Sequence, residues 1–255
     1  MEIFLDTANM GEIERWVHDY SVVDGVTTNP SIMLAEGALD VKTHTKRIAS
    51  VLGDRPLSVE VVSDDRDEML AQAREMATWA ANIVVKIPIV TTSGEPCLGT
   101  IHRLVEDGIR VNATACLSFG QAMLAAKAGA SYVSLFGGRI GDEGGDAAGL
   151  VRSLAQWLAR WQSPTRLIVG SIREAFSVQE AALAGAHVVT VPPRFLRQLV
   201  DHKYSRFTVQ QFLDDGREAV EQLRHLQAAA GLSPDGDAVS LGGAATGSGP
   251  TFRPQ

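Results

Sequence analysis

Eight short runs rich in β-branched residues alternate with longer amphipathic stretches along this chain, and that alternation limits the fold more than any other feature. The runs fall near residues 2–5, 22–27, 57–62, 82–87, 109–114, 131–136, 166–171 and 186–191. Helical patterns lie between them, near 10–20, 39–52, 65–80, 99–106, 119–128, 146–161, 177–184 and 193–200. Gln121-Ala122-Met123-Leu124-Ala125-Ala126-Lys127 consists almost wholly of strong helix formers. Strands that alternate with helices form parallel sheets, because a parallel pair needs a crossover. Eight such units are the number that closes a (β/α)8 barrel. A doubly wound open sheet is the rival, but it usually carries a Gly-rich phosphate loop after its first strand. Here that turn reads Asp6-Thr7-Ala8-Asn9. The sequence therefore predicts an α/β fold, a single TIM barrel.

A chain of 255 residues fits one such domain, since α/β barrels of about 250 residues are single units. Residues 206–229 read as one or two terminal helices, with Leu213, Val220 and Leu223 as candidate apolar contacts. Those contacts would be made across a barrel end or against a neighbouring subunit. From residue 231 the chain turns rich in Gly, Ser, Pro and Asp, and such a segment buries too little apolar surface to offset its ordering entropy. The expected organisation is a barrel with C-terminal helices over 1–230 and a flexible tail over 231–255.

Composition narrows the function classes. The net charge of -7 argues against nucleic acid and anionic membranes as partners. Cys97 and Cys116 are isolated, and the six histidines show no metal spacing, so neither a disulfide framework nor a metal site is expected. Met1-Glu2-Ile3-Phe4-Leu5-Asp6 has no basic region, and no apolar run is long enough to span a bilayer. The expectation is a cytoplasmic protein.

Lys86 is the residue that most suggests chemistry. It sits within Asn82-Ile83-Val84-Val85-Lys86-Ile87-Pro88, otherwise a buried strand. The other four lysines, Lys42, Lys46, Lys127 and Lys203, fall in polar or helix-like segments. Burial disfavours a charged amine and should lower its pKa. A neutral amine can attack a carbonyl and form a Schiff base. A lysine paired with a buried carboxylate, or one reaching out at a strand end, would satisfy the same sequence.

In a parallel barrel the chemistry sits at the C-terminal ends of the strands. Those ends supply Asp6, then Thr27-Thr28-Asn29-Pro30, Glu60, Lys86, Asn112 with Thr114, Ser134 followed by Arg139, Ser171 followed by Arg173, and Thr190. Side chains alternate faces along a strand. Glu60 shares a face with Ser58, and Lys86 shares one with Val84, so an inward carboxylate and an inward amine can meet on adjacent strands. Arg139 lies in a glycine-rich segment and Arg173 leads toward a helix start. Together they suit a phosphate clamp.

Taken together, these residues resemble the small transaldolase and fructose-6-phosphate aldolase family. The resemblance rests on Phe4-Leu5-Asp6-Thr7-Ala8-Asn9, Gly25-Val26-Thr27-Thr28-Asn29-Pro30-Ser31, Ser58-Val59-Glu60-Val61, Val85-Lys86-Ile87-Pro88, Val111-Asn112-Ala113-Thr114-Ala115, Gly137-Gly138-Arg139-Ile140 and Gly170-Ser171-Ile172-Arg173. It implies a class I aldolase mechanism with no metal or other cofactor and with sugar phosphates as substrates. By resemblance, Lys86 is the Schiff-base lysine and Asp6 the base for the C4 hydroxyl. Glu60 is the acid/base acting through a water that Thr114 holds. Asn29, Asn112 and Ser134 bind hydroxyls of the dihydroxyacetone unit, with Thr27 and Phe136 also in the substrate site. Arg139, Arg173 and Ser171 form the phosphate site.

Glu60 stands where the aldolases of the family carry Gln, which favours a transaldolase over an enzyme that releases dihydroxyacetone. The resemblance also implies a homo-oligomer. Departures occur at residues 89–100, at Gly137, at Glu174 and in the tail. The resemblance implies the pentose phosphate pathway, whereas these departures point to a reshaped acceptor pocket and to making an unusual sugar phosphate for a secondary metabolite.

Overall fold

The computed structural model describes residues 1–231. The tail expected over 231–255 therefore lies, from residue 232, outside the described residues. The chain divides into two compact units, Met1–Val200 and Asp201–Gln255.

In the first unit eight parallel strands close on themselves in sequence order, the last pairing with the first. They are β1 (Glu2–Asp6), β2 (Gly25–Thr27), β3 (Leu57–Glu60), β4 (Ile83–Pro88), β5 (Val111–Cys116), β6 (Tyr132–Phe136), β7 (Arg166–Gly170) and β8 (Val188–Val191). The helices are α1 (Met10–Glu14), α2 (Pro30–Ala35), α3 (Val41–Leu52), α4 (Arg66–Ala77), α5 (Leu98–Glu106), α6 (Phe119–Lys127), α7 (Gly137–Asp142), α8 (Ala147–Arg160), α9 (Ala175–Ala184) and α10 (Pro193–Val200). After α1 the chain continues as a π-helical segment, Arg15–Asp19. This is the (β/α)8 barrel that the alternation of runs predicts.

Side-chain caps set the helix starts. Asp40, Asp65, Ser118 and Asp146 each accept a hydrogen bond from a first-turn N–H, satisfying donors that the helix leaves unpaired. Two short helices, α2 and α7, depart from the expected pattern. For α2 a signal is present: Asn29 caps it and Pro30 takes its first position. The run expected at 22–27 shortens to three residues, because Val22 is exposed and Ser21 turns the chain with φ 53°.

Between strands and helices lies the main core, with Leu5, Val26, Leu57, Val85, Ile87, Ala113, Leu135 and Leu167 buried against the helical ring. The barrel interior holds a separate apolar layer of Phe4, Val84, Tyr132, Ile168 and Val188. Gly25 makes room for it, since a Cβ there would lie 2.8 Å from the Phe4 ring and 2.8 Å from the Pro56 carbonyl oxygen. Alternation then places Asp6, Thr27, Glu60, Lys86, Thr114, Ser134 and Thr190 beyond that layer, toward the C-terminal ends of the strands.

At the other end, the Leu167 N–H donates to His187 Nδ1 at 3.0 Å. Burial first, then the Arg166 charge, pushes the His187 imidazole below its ordinary 6.5. A depressed folded-state pKa means that the unfolded chain takes up the proton first. This contribution is complete above pH 6.5 and is lost as the pH falls from there through the folded pKa. Melting temperature is expected to fall between pH 7 and 5, and a His187→Gln variant should show a flatter profile. Identical profiles would remove His187 as the cause.

Among the described residues the second unit contains one helix, α11 (Lys203–Ala229), where one or two were expected over 206–229. None of its residues is buried; Leu213 and Leu223 are about half exposed and Val220 is partly covered. Within the described residues Leu213 and Leu223 thus lie on an exposed helix face. Among the described residues no helix is long and apolar enough to cross a membrane.

Candidate active site

Strand register brings the chemistry together. Glu60 pairs with Lys86 across β3 and β4, Lys86 with Asn112 across β4 and β5, and Asp6 with Thr27 across β1 and β2. Side chains at paired positions point to the same face, so these residues converge inside the barrel.

Lys86 is 7% exposed. Its Nζ donates to Glu60 Oε2 at 2.7 Å and to the Thr28 carbonyl oxygen at 2.9 Å. The pairing with a carboxylate that the sequence allowed is therefore present. It leaves one of the three ammonium donors free, and Lys86 also lines a cavity of about 190 Å³ at the barrel mouth.

That cavity brings together Asp6, Thr27, Asn29, Lys86, Thr114, Ser134, Phe136, Arg139 and Ser171 of the residues singled out in the sequence. Gly170 and Thr190 complete its wall. Asn29 does two jobs: its Oδ1 accepts from the Ile32 N–H at 2.9 Å, which leaves its Nδ2 to donate elsewhere. The Thr114 hydroxyl is buried with no partner among the described residues. Such a group in a polar cavity suits a water or a ligand hydroxyl.

Asp6 is held by an oriented chain. Thr27 Oγ1 donates to Asp6 Oδ1 at 2.8 Å, and the Thr27 and Thr190 hydroxyls lie 2.5 Å apart. Thr27 has one proton; while it goes to Asp6, Thr190 is the donor in the second bond. Burial raises the Asp6 pKa, opposed by the Thr27 hydrogen bond and the Lys86 charge. From the sequence Thr190 is a strand-end residue without an assigned role. Its partner becomes visible only when β8 closes against β1.

Three expected site residues stand apart from the cavity wall. Glu60 is reached through Lys86 and lines a small neighbouring crevice with Thr28, Met33 and Val59. Asn112 is fully buried beneath the cavity, donating to Ser58 Oγ at 3.2 Å and accepting from Ser134 Oγ at 2.7 Å. Both ends of its amide are used within the protein, and it holds Ser134 in place. Arg173 lines a second cavity, of about 370 Å³, between α7, α8 and α9.

The part of the cavity wall formed by Phe136, Arg139 and Ser171 is built on close backbone approach. Arg139 stacks over the Phe136 ring with its guanidinium carbon 5.0 Å from the centroid. A Cβ on Gly138 would fall 1.9 Å from the Ser171 carbonyl oxygen, so only glycine fits there. Ser171 itself adopts φ 59°, a conformation that costs free energy in a non-glycine residue and is concentrated at functional sites. Between β4 and α5, residues 89–97 form a small loop closed by a Val90–Pro96 bridge. Asp64 anchors it, accepting from Thr92 N at 2.7 Å.

Comparison with known proteins identifies the family. A profile of the family described as Transaldolase/Fructose-6-phosphate aldolase matches residues 3–240. A protein of Roseiflexus castenholzii named "Probable transaldolase" is 43% identical over 215 residues, covering 84% of this chain and 96% of that one. Its namesake from Dehalococcoides mccartyi is 40% identical over 215 residues, covering 84% and 97%. Among solved structures, a mandelate oxidase variant superposes with a TM-score of 0.53 at 15% identity, over 77% of this chain and 69% of that chain; this likeness concerns the barrel fold alone. The matched length and the order of the strand-end motifs carry one conclusion: the chain belongs to the transaldolase/fructose-6-phosphate aldolase family.

Proposed function

We propose that this protein is a transaldolase, moving a dihydroxyacetone unit from a ketose phosphate to an aldose phosphate through a Schiff base on Lys86. The observation that carries the reading is a buried lysine beside a carboxylate, at the wall of a polar cavity in a barrel of this family. Attack on the donor ketone needs the amine without its extra proton, and Glu60 stands at hydrogen-bond distance to accept it. Loss of water from the carbinolamine then gives the iminium. Asp6, across the cavity, is suited to take the C4 hydroxyl proton as the C3–C4 bond breaks. Its raised pKa brings it closer to the range in which a general base works efficiently. The electron pair of that bond enters the iminium as an enamine, which then attacks the aldehyde carbon of the acceptor; hydrolysis of the new iminium frees the product.

The Thr114 hydroxyl fits the water through which Glu60 exchanges protons. Ser134, held by Asn112, and Asn29 fit the donor hydroxyls. Arg139 and Ser171 fit a phosphate. Side chains alone supply this chemistry, without a metal or organic cofactor. A family member carrying Glu60 is read here as passing the three-carbon unit on. The second reading, release of free dihydroxyacetone, would give equal rates of donor consumption with and without an aldose phosphate. A homo-oligomer in the cytoplasm, with no nucleic-acid or membrane partner, is the setting that accompanies this reading.

Borohydride trapping with fructose 6-phosphate tests it. A gain of about 74 Da, the mass of a reduced dihydroxyacetone adduct, is expected on the peptide containing Lys86. An adduct on another lysine would sink the assignment. Arg139→Ala is expected to raise KM for phosphorylated donors by about ten-fold, and much less for dihydroxyacetone, because a charge-assisted contact is lost. An equal rise for both would take Arg139 out of the phosphate site.

A further inference from the structure

Arg139 and Arg173 follow neighbouring strands, yet they do not share a cavity. Arg139 lines the barrel mouth with Ser171, whereas Arg173 lines the adjoining glycine-walled cavity. There its Nη2 donates to Asp142 Oδ2 at 2.7 Å. Asp142 follows Arg139 by three residues on α7, so the two lie on the same side of that helix. A carboxylate thus pairs with one of the two arginines expected of the anion site, from the helix that carries the other.

The stem of Arg173 is already beside that site. A Cβ on Gly138 would meet Arg173 Cγ at 2.8 Å and Nε at 2.9 Å, so the side chain crosses the α-carbon of the residue preceding Arg139. Only the guanidinium is directed elsewhere. Its ion pair is weakly held, because the side chains are 55% and 54% exposed, and pairs of that kind contribute little. A phosphate dianion offers a stronger, bidentate acceptor.

We propose that Asp142 is a specificity-determining residue that competes with substrate phosphate for Arg173. Holding the guanidinium away from the barrel mouth lowers the affinity for phosphorylated sugars and helps the phosphorylated product to leave. The proposal rests on the transaldolase reading, in which Arg139 and Ser171 receive the phosphate. It adds a residue that touches Arg173 and tunes binding through it.

Inorganic phosphate is the probe, measured by calorimetric titration and as a competitive inhibitor of the fructose 6-phosphate reaction. Asp142→Asn is expected to tighten phosphate binding about three-fold. It should lower KM for the phosphorylated donor by a similar factor, and shift KM for dihydroxyacetone less. Asp142→Glu should restore the unmodified behaviour. The double variant Asp142→Asn/Arg173→Ala should bind phosphate no more tightly than Arg173→Ala alone. Weaker phosphate binding in Asp142→Asn would mean that Asp142 positions Arg173 for the ligand, and an unchanged affinity would make it a bystander; either result overturns the proposal. Arg139→Ala separates the two levels of the argument. If it weakens phosphate binding while Asp142→Asn has no effect, the proposal alone falls. If Arg139→Ala has no effect, the phosphate site is elsewhere, and the underlying reading falls with the proposal.

Discussion

Replacing Lys86 with alanine is expected to lower turnover by on the order of 10⁴-fold or more, the scale seen when a covalent nucleophile is removed, while leaving the barrel folded. No other lysine lies in the cavity wall, so nothing else there can form the Schiff base. The structural cost is limited. Breaking a fully buried ion pair is severe because a charge is stranded, but the Glu60 side chain remains 27% exposed and can be hydrated. A loss of about 1–2 kcal/mol is therefore expected. Steady-state assays together with thermal melts check both halves. Retained turnover would end the Schiff-base mechanism, and a collapsed melt would show that the pair is structural first.

Gly138→Ala should have the largest effect of any single-methyl change at the site. Its Cβ would sit 1.9 Å from the Ser171 carbonyl oxygen, a backbone atom that cannot swing aside. Either α7 or the turn after β7 must move. Overpacking of this kind costs about 1–3 kcal/mol, sometimes more. The displaced groups are those proposed to bind phosphate, so KM for a phosphorylated donor should rise by about ten-fold or more. Gly141→Ala on the same helix meets nothing within 4 Å and serves as the control; equal effects from both would mean that helix propensity, not close approach, is responsible.

Much of the barrel was legible because its signals are local. Each strand reads as a β-branched run, and parity allows Glu60 and Lys86 to share the inward face, where the register joins them. What stayed hidden depends on long-range closure. The glycine-rich segment around Arg139 gives no helix signal, because glycine is a poor helix former; in the fold its glycines permit a short helix to press on the turn after β7. Thr190 lacked a partner on paper because Thr27 lies on β2, brought near only when the first strand is flanked by both β2 and β8. The two amide contacts of Asn112, to Ser58 and Ser134, depend on a cross-strand neighbourhood that no spacing encodes.

The apolar plug formed by Phe4, Val84, Tyr132, Ile168 and Val188 makes the barrel a vessel with one opening. If the covalent intermediate forms on Lys86, the leaving aldose, the incoming acceptor and bulk water must all use that opening, one after another. An acceptor seated there would shut out the water that competes for the bound three-carbon unit. The balance between transfer and waste would then follow acceptor occupancy, so the rim loops could change the partner sugar without any change to the chemistry beneath them.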